Sequence, residues 1–133
     1  MAFRPLKSTL VISLLLAGCS SLPKSYEAQL ADHLSSTGAK MYGAYWCPHC
    51  AIQKKYFRRA ASRLPYIECD ADGLNAEVAL CQSAGIDAYP TWVIDDEYYF
   101  GAQSLRKLAA LSGFEDASAT KADREATIER ERD

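Results

Sequence analysis

Residues 39–50 read Ala-Lys-Met-Tyr-Gly-Ala-Tyr-Trp-Cys-Pro-His-Cys. The run Ala39–Trp46 is short, mostly apolar and poor in helix-start or helix-stop signals, which predicts a buried strand. Directly after it, Pro48 suits the first turn of a helix, where its missing N–H costs nothing. Ile52, Tyr56, Phe57, Ala60, Ala61 and Leu64 then recur at helical spacing as far as the breaker Pro65. Cys47 and Cys50 therefore fall at a strand-to-helix junction, with both sulfurs near a helix N-terminus. Exposed amide N–H groups and the helix dipole favour a thiolate there, and thiolate is the species that attacks a disulfide. His49 adds an imidazole donor beside Cys47 and strengthens that preference. This chemistry predicts dithiol–disulfide exchange, with Cys47 as nucleophile and Cys50 as the thiol that resolves the mixed disulfide. Stabilising the reduced pair in this way makes its disulfide a stronger oxidant. Trp46, immediately before the nucleophile, is expected to cover the rim of the site and contact substrate.

Downstream, Tyr66–Cys69 reads as a second strand, 70–75 as a turn-rich loop and 76–83 as a short helix closed by Gly85. Thr91–Ile94 and Tyr98–Phe100 are β-type runs around Asp95-Asp96-Glu97, a hairpin signature. Ser104 caps a helix through Leu111, with Gly113 as its stop. Upstream, 26–34 suits a first helix. Strand, helix, strand, helix, hairpin, helix is an α/β order with a mixed central sheet flanked by helices. Asp70, Asp72 and Asn75 resemble part of a calcium loop, but the glycine and final glutamate do not fit, so a turn is expected. His33 reads as a surface or packing residue, and Tyr45 and Trp92 with Tyr98, Tyr99 and Phe100 as core or sheet face.

At 133 residues the chain holds one domain, and its formal charge of -2 offers no basic field for phosphates, so nucleic acid is not an expected partner. Residues 1–18 read as an export signal: Arg4 and Lys7 precede the apolar run Leu10–Ala17, which is too short to span a bilayer. The run ends in Leu16-Ala17-Gly18-Cys19, which looks like a lipoprotein cleavage site, so Cys19 is expected to carry the lipid that anchors the chain to a membrane. Residues 19–37 would then hold the lipidated end, a tether and the short helix; 38–114 the folded domain; and 115–133 a solvated tail with seven acidic and four basic residues.

In an exported protein the four cysteines left after lipidation pair naturally, so Cys69 and Cys81 are expected to form a structural disulfide. Closing a loop of that size stabilises a fold by about 3 kcal/mol in the chain-entropy model. Two alternatives stay open: a relay that exchanges electrons with Cys47 and Cys50, and an all-sulfur zinc centre, although Cys69 and Cys81 do not form a second CxxC. No metal or cofactor is expected on the exchange reading.

Trp46-Cys47-Pro48-His49-Cys50 followed by Tyr89-Pro90-Thr91 resembles the thioredoxin superfamily, and the Pro-His dipeptide is the one found in the periplasmic disulfide oxidase DsbA. The stretch Ala39–Trp46, the Cys69 and Cys81 pair, Gly101, Ser104-Leu105 and Leu111-Ser112-Gly113 resemble more specifically the thioredoxin-like domain that accompanies bacterial and plant homologues of vitamin K epoxide reductase. The resemblance runs from Gly38 to Phe114. It implies a thioredoxin-like fold, a cis Pro90 facing the active-site disulfide, and Tyr89 and Thr91 presenting backbone to a bound peptide. By itself Tyr-Pro-Thr would suit a trans proline opening an edge strand. It also implies oxidation of cysteine-containing exported proteins in a periplasm or thylakoid-type lumen, with electrons passed to a quinone-linked membrane partner of the vitamin K epoxide reductase type. A reductase or isomerase on the same fold, or a non-catalytic lipoprotein with structural or zinc-binding cysteines, are the competing readings. One departure stands out: ordinary thioredoxins carry a buried carboxylate six residues before the first cysteine, and Met41 stands there.

Overall fold

The computed structural model describes residues 24–116. The leader, the lipidation candidate Cys19 and the tail from residue 117 lie outside the described residues. Four strands, β1 (Lys40–Gly43), β2 (Tyr66–Glu68), β3 (Thr91–Ile94) and β4 (Glu97–Phe100), form one mixed sheet in the order β2-β1-β3-β4. β1 is parallel to β2, and β3 is antiparallel to both β1 and β4. A parallel pair needs a crossover, and helix α2 (Pro48–Tyr56) with the 3₁₀ stretch Arg58–Arg63 supplies it. In the β3–β4 hairpin Asp95 and Asp96 both adopt positive φ, 51° and 63°, which closes a two-residue turn and sets Ile94 opposite Glu97. Helices α1 (Tyr26–Ser36), α3 (Val78–Ser83) and α4 (Leu105–Ser112) complete the thioredoxin-like α/β fold that the sequence predicts.

Strand alternation divides the apolar residues between two faces. Met41 and Trp92, partners across β1 and β3, point into the larger core, where Leu30 and Leu34 of α1, Phe57 and Leu108 of α4 meet them. Tyr42 and the partly buried Ile67 and Val93 point the other way, against Cys69, Cys81 and α3. The helix that the sequence sets ahead of the domain thus contributes to the same core as the rest. His33 fastens it: the ring nitrogen Nε2 lies 2.8 Å from the Ser112 carbonyl, and Phe114 packs on the ring.

Two element ends differ from the sequence expectation by more than two residues. β1 stops at Gly43 because the Cys47 N–H turns back to the Ala44 carbonyl at 3.0 Å, so Tyr45 and Trp46 leave the sheet and become exposed. α2 stops at Tyr56, and Arg58 takes φ 52°; the change to 3₁₀ geometry keeps Phe57, Ala60 and Leu64 turned into the core as the chain approaches Pro65. Among the aromatics grouped as core or sheet face, Trp92 is fully buried, whereas Tyr45, beyond the end of β1, and Tyr98 and Phe100, on the edge strand β4, are exposed.

Candidate active site

Cys47 is the N-cap of α2 and Pro48 its first residue, so the first-turn amides of the helix open beside the Cys47 sulfur. The thiol is buried and donates to the Tyr89 carbonyl at 3.6 Å. The Tyr89–Pro90 peptide bond is cis, which brings that carbonyl against the cysteine. Both Cys47 and Cys50 are free thiols in this structure. Pro48 and His49 are exposed at the start of the helix, and Cys50 lies one turn in, beneath the surface.

The rim is aromatic. Trp46 is 57% exposed, donates its indole N–H to Asp70 Oδ2 at 2.7 Å and meets the Tyr89 ring edge-on with centroids 6.1 Å apart. That indole bond, with the Asp72 N–H on the other oxygen, holds the Asp70 carboxyl below its ordinary value. Thr91 is less open than a peptide-binding role suggests. Its hydroxyl is buried against the Ala88 carbonyl, and the residue is registered between Tyr42 and Phe100 in the sheet, which leaves Tyr89 as the accessible member of the Tyr89-Pro90-Thr91 segment.

Beneath the cysteines the sheet approaches closely. A Cβ on Gly43 would stand 2.7 Å from Cys50 Sγ and 2.8 Å from the Tyr66 ring, so only glycine fits there. Burial pushes the Cys50 thiol up to about 12, with the neighbouring Cys47 sulfur adding to the rise against a backbone hydrogen bond from Ala44. Met41 is fully buried and apolar, as the sequence shows. A carboxylate is nevertheless close by. Glu68, opposite Gly43 in the parallel ladder, is 5% exposed; its Oε2 accepts the Tyr66 hydroxyl at 2.9 Å and its Oε1 the Asp70 N–H at 2.9 Å. A Cβ on Gly73 would collide with the Glu68 side chain, so the loop after β2 closes over it.

The helix that carries the cysteines is pinned from below by Gln53, which is fully buried. Its Oε1 accepts from Trp92 Nε1 at 3.0 Å and the Gln103 N–H at 2.7 Å, while its Nε2 donates to the Gln103 carbonyl at 3.0 Å. Sequence reasoning missed Gln53, Tyr66, Glu68 and Asp70 as site residues. Strand alternation in Tyr66-Ile67-Glu68 does place Tyr66 and Glu68 on one face, but nothing local says that Cys50 lies over that face.

Cys69 and Cys81 are joined as a disulfide, with Cα atoms 5.7 Å apart, tying the end of β2 to α3 on the sheet face away from α1 and α4. With these two thiols bonded to each other, a four-thiolate zinc centre would lack half its ligands.

No protein-family model matches the chain. Over 99 residues it is 46% identical to the thiol-disulfide oxidoreductase LTO1 of Arabidopsis thaliana, an alignment covering 71% of this chain and 26% of that protein. The chain thus spans about a quarter of the length of the curated relative it matches.

Proposed function

We propose that this chain is a protein thiol-disulfide oxidoreductase in which Cys47 exchanges disulfides with client cysteines and Cys50 resolves the mixed disulfide. The observation that carries this reading is the pairing of Cys47, at the N-cap of α2, with the cis Tyr89–Pro90 segment that its sulfur touches. A client cysteine reaching Cys47 would have the Tyr89 backbone alongside, and the Trp46 and Tyr89 rings would flank it. Likeness to a protein named as a thiol-disulfide oxidoreductase supports the same chemistry.

The finer reading is an oxidase. His49, DsbA-like in its position between the cysteines, is exposed beside the helix start, where a donor to the Cys47 sulfur favours the reduced pair and so a strongly oxidising disulfide. On this reading the chain is exported and held by lipid on Cys19 on the periplasmic or lumenal side of a membrane. It takes electrons from exported proteins and passes them to a quinone-linked partner of the vitamin K epoxide reductase type.

Equilibration with glutathione, read by alkylation and mass at each cysteine, tests the direction. A Cys47–Cys50 midpoint near about -120 mV supports the oxidase, and one near about -270 mV assigns a reductase instead. Cys50→Ser in cells tests the exchange itself, since an unresolved Cys47 should accumulate covalently bound clients. A Cys50→Ser protein with no such partners, together with a Cys47 inert to alkylation at neutral pH, would refute the oxidoreductase reading.

A further inference from the structure

The resolving half-step needs Cys50 as a thiolate, yet Cys50 is buried and Met41 offers it no proton acceptor. The second strand does. Cys50 Sγ and Tyr66 Oη lie 2.7 Å and 3.3 Å from one common point, the position of a Cβ on Gly43, so the two atoms flank the same gap and one water could bridge them. That hydroxyl is committed to Glu68 Oε2, and Glu68 is enclosed by Gly73 and the Asp70 N–H. A carboxylate this buried, with one oxygen fixed by backbone and the other by a tyrosine that shares the Gly43 gap with a cysteine, is a relay geometry. Other titratable residues around Tyr66 and Glu68 are Cys47 and Lys54 from α2, Asp70 from the loop after β2, Glu77, whose N–H bonds the Glu68 carbonyl, and Tyr89 from the cis-proline segment. Lys54 Nζ lies 3.6 Å from the Tyr66 ring centroid, where a cation eases transient negative charge on the phenol oxygen.

We propose that Tyr66 takes the proton of the Cys50 thiol and that Glu68, acting through Tyr66, is its terminal acceptor. The proposal rests on the oxidoreductase reading and serves either direction of electron flow: Cys50 attacks Cys47 when a partner disulfide is reduced, and when a client is oxidised Cys50 is the leaving group and the same relay runs in reverse to return its proton. In the step, the Cys50 S–H proton moves by way of a bridging water to Tyr66 Oη as the Tyr66 O–H proton moves to Glu68 Oε2. The Cys50 thiolate attacks Cys47 Sγ. The Cys47–Cys50 bond forms, the bond from Cys47 to the partner sulfur breaks, and the partner leaves with the electron pair and is protonated by water. Cys47 and Cys50 together give up two electrons, and the partner disulfide is reduced to two thiols. Glu68 then returns its proton to solvent.

The test uses the full chain, reduced at Cys47 and Cys50, mixed in stopped flow with an excess of an aromatic disulfide that releases a coloured thiolate. The first release reports attack by Cys47 and the second reports resolution by Cys50. Wild type should resolve with little pH dependence between about pH 6 and about pH 9, because the relay supplies the base. Glu68→Gln and Tyr66→Phe should slow the second release at neutral pH by at least about tenfold and make it climb about tenfold per pH unit, with the first release unchanged. Glu68→Gln and Tyr66→Phe proteins that keep the wild-type second release and its pH profile would overturn the relay, and so would equal slowing of both releases. If Glu68→Gln does not fold, Tyr66→Phe, which keeps the ring over Gly43, decides alone. A wild-type chain with no second release would instead remove the oxidoreductase reading and the relay with it.

Discussion

Replacing Gln53 with leucine removes one side chain but unpairs three groups. The Gln53 Oε1 is shared by Trp92 Nε1–H and the Gln103 N–H, and the Nε2 serves the Gln103 carbonyl. Gln53 and Trp92 are fully buried and Gln103 nearly so, so water does not readily replace the lost partner. Each buried donor or acceptor left without a partner costs about 1–3 kcal/mol, so the three groups together cost about 3–9 kcal/mol. The leucine recovers about 1.5–3 kcal/mol through its own burial. From the middle of these ranges the expected net loss is about 4 kcal/mol, a large share of the stability of about 5–15 kcal/mol usual for a domain. Equilibrium urea unfolding followed by circular dichroism, with both cysteine pairs in one defined redox state, measures it. Trp92→Phe provides the decisive control, because it removes one of the two donors in advance. In the double-mutant cycle Gln53→Leu should then cost at least about 0.5 kcal/mol less than it does in wild type. A Gln53→Leu loss under about 1 kcal/mol, or strict additivity with Trp92→Phe, would refute the shared-acceptor reasoning. The same substitution loosens α2 under Cys47 and Cys50, so exchange activity should fall with stability.

Gly43→Ala drives a methyl to within 2.7 Å of Cys50 Sγ and 2.8 Å of the Tyr66 ring; it should cost about 1–3 kcal/mol in urea unfolding and change the resolution rate, since the relay groups must move. Cys81→Ser opens the Cys69–Cys81 loop and should lower unfolding stability by about 3 kcal/mol while leaving Cys47–Cys50 exchange intact; loss of exchange in a folded Cys81→Ser protein would show the pair to be a relay. Trp46 fluorescence should titrate with Asp70: the indole bond favours the carboxylate, so the contact is present at neutral pH and is lost only as pH falls below the ordinary aspartate range, and Asp70→Asn should abolish that transition. Asp32 is likewise held low by hydrogen bonds from Lys24 and Arg63; its stabilising effect is present above the ordinary carboxylate value and lost on acidification. With its side chain 35% exposed it contributes under about 1 kcal/mol, measurable as a smaller acid-side stability loss in Asp32→Asn.

What was legible in the sequence is what local chemistry dictates. Ser104 accepts from the Lys107 N–H, Gly113 takes φ 66°, and Asp95-Asp96 closes the hairpin, each as the residue type predicts. The strand–CxxC–helix junction was legible for the same reason: Pro48 fixes the helix start next to an apolar run. The α2 break at Arg58 was not, because the helical spacing of Phe57, Ala60 and Leu64 is nearly as well satisfied by a 3₁₀ turn, and only packing decides between them. Gln53 and Glu68 were illegible for a different reason. A polar residue inside an apolar pattern reads as a solvent-facing position, and only the register of β1 against β2 and the seating of α2 on β3 reveal that each is enclosed.

The site therefore depends on an asymmetry that one helical turn creates. Cys47, at the N-cap, holds its sulfur against the Tyr89 carbonyl, next to the exposed Trp46 and Pro48. Cys50, three residues on, is carried down over Gly43, where burial disfavours its ionisation. The positions suit different roles, since the attacking thiol belongs at the helix N-cap and the resolving thiol must stay neutral until a mixed disulfide needs it. The absence of a side chain at Gly43 lets Cys50 sink that far, and the Tyr66 ring and hydroxyl border the same gap. The close approach that suppresses the Cys50 thiolate thus also supplies the group placed to take its proton, so substitutions at Gly43, Tyr66 and Glu68 should disturb resolution together and leave the first attack by Cys47 largely untouched.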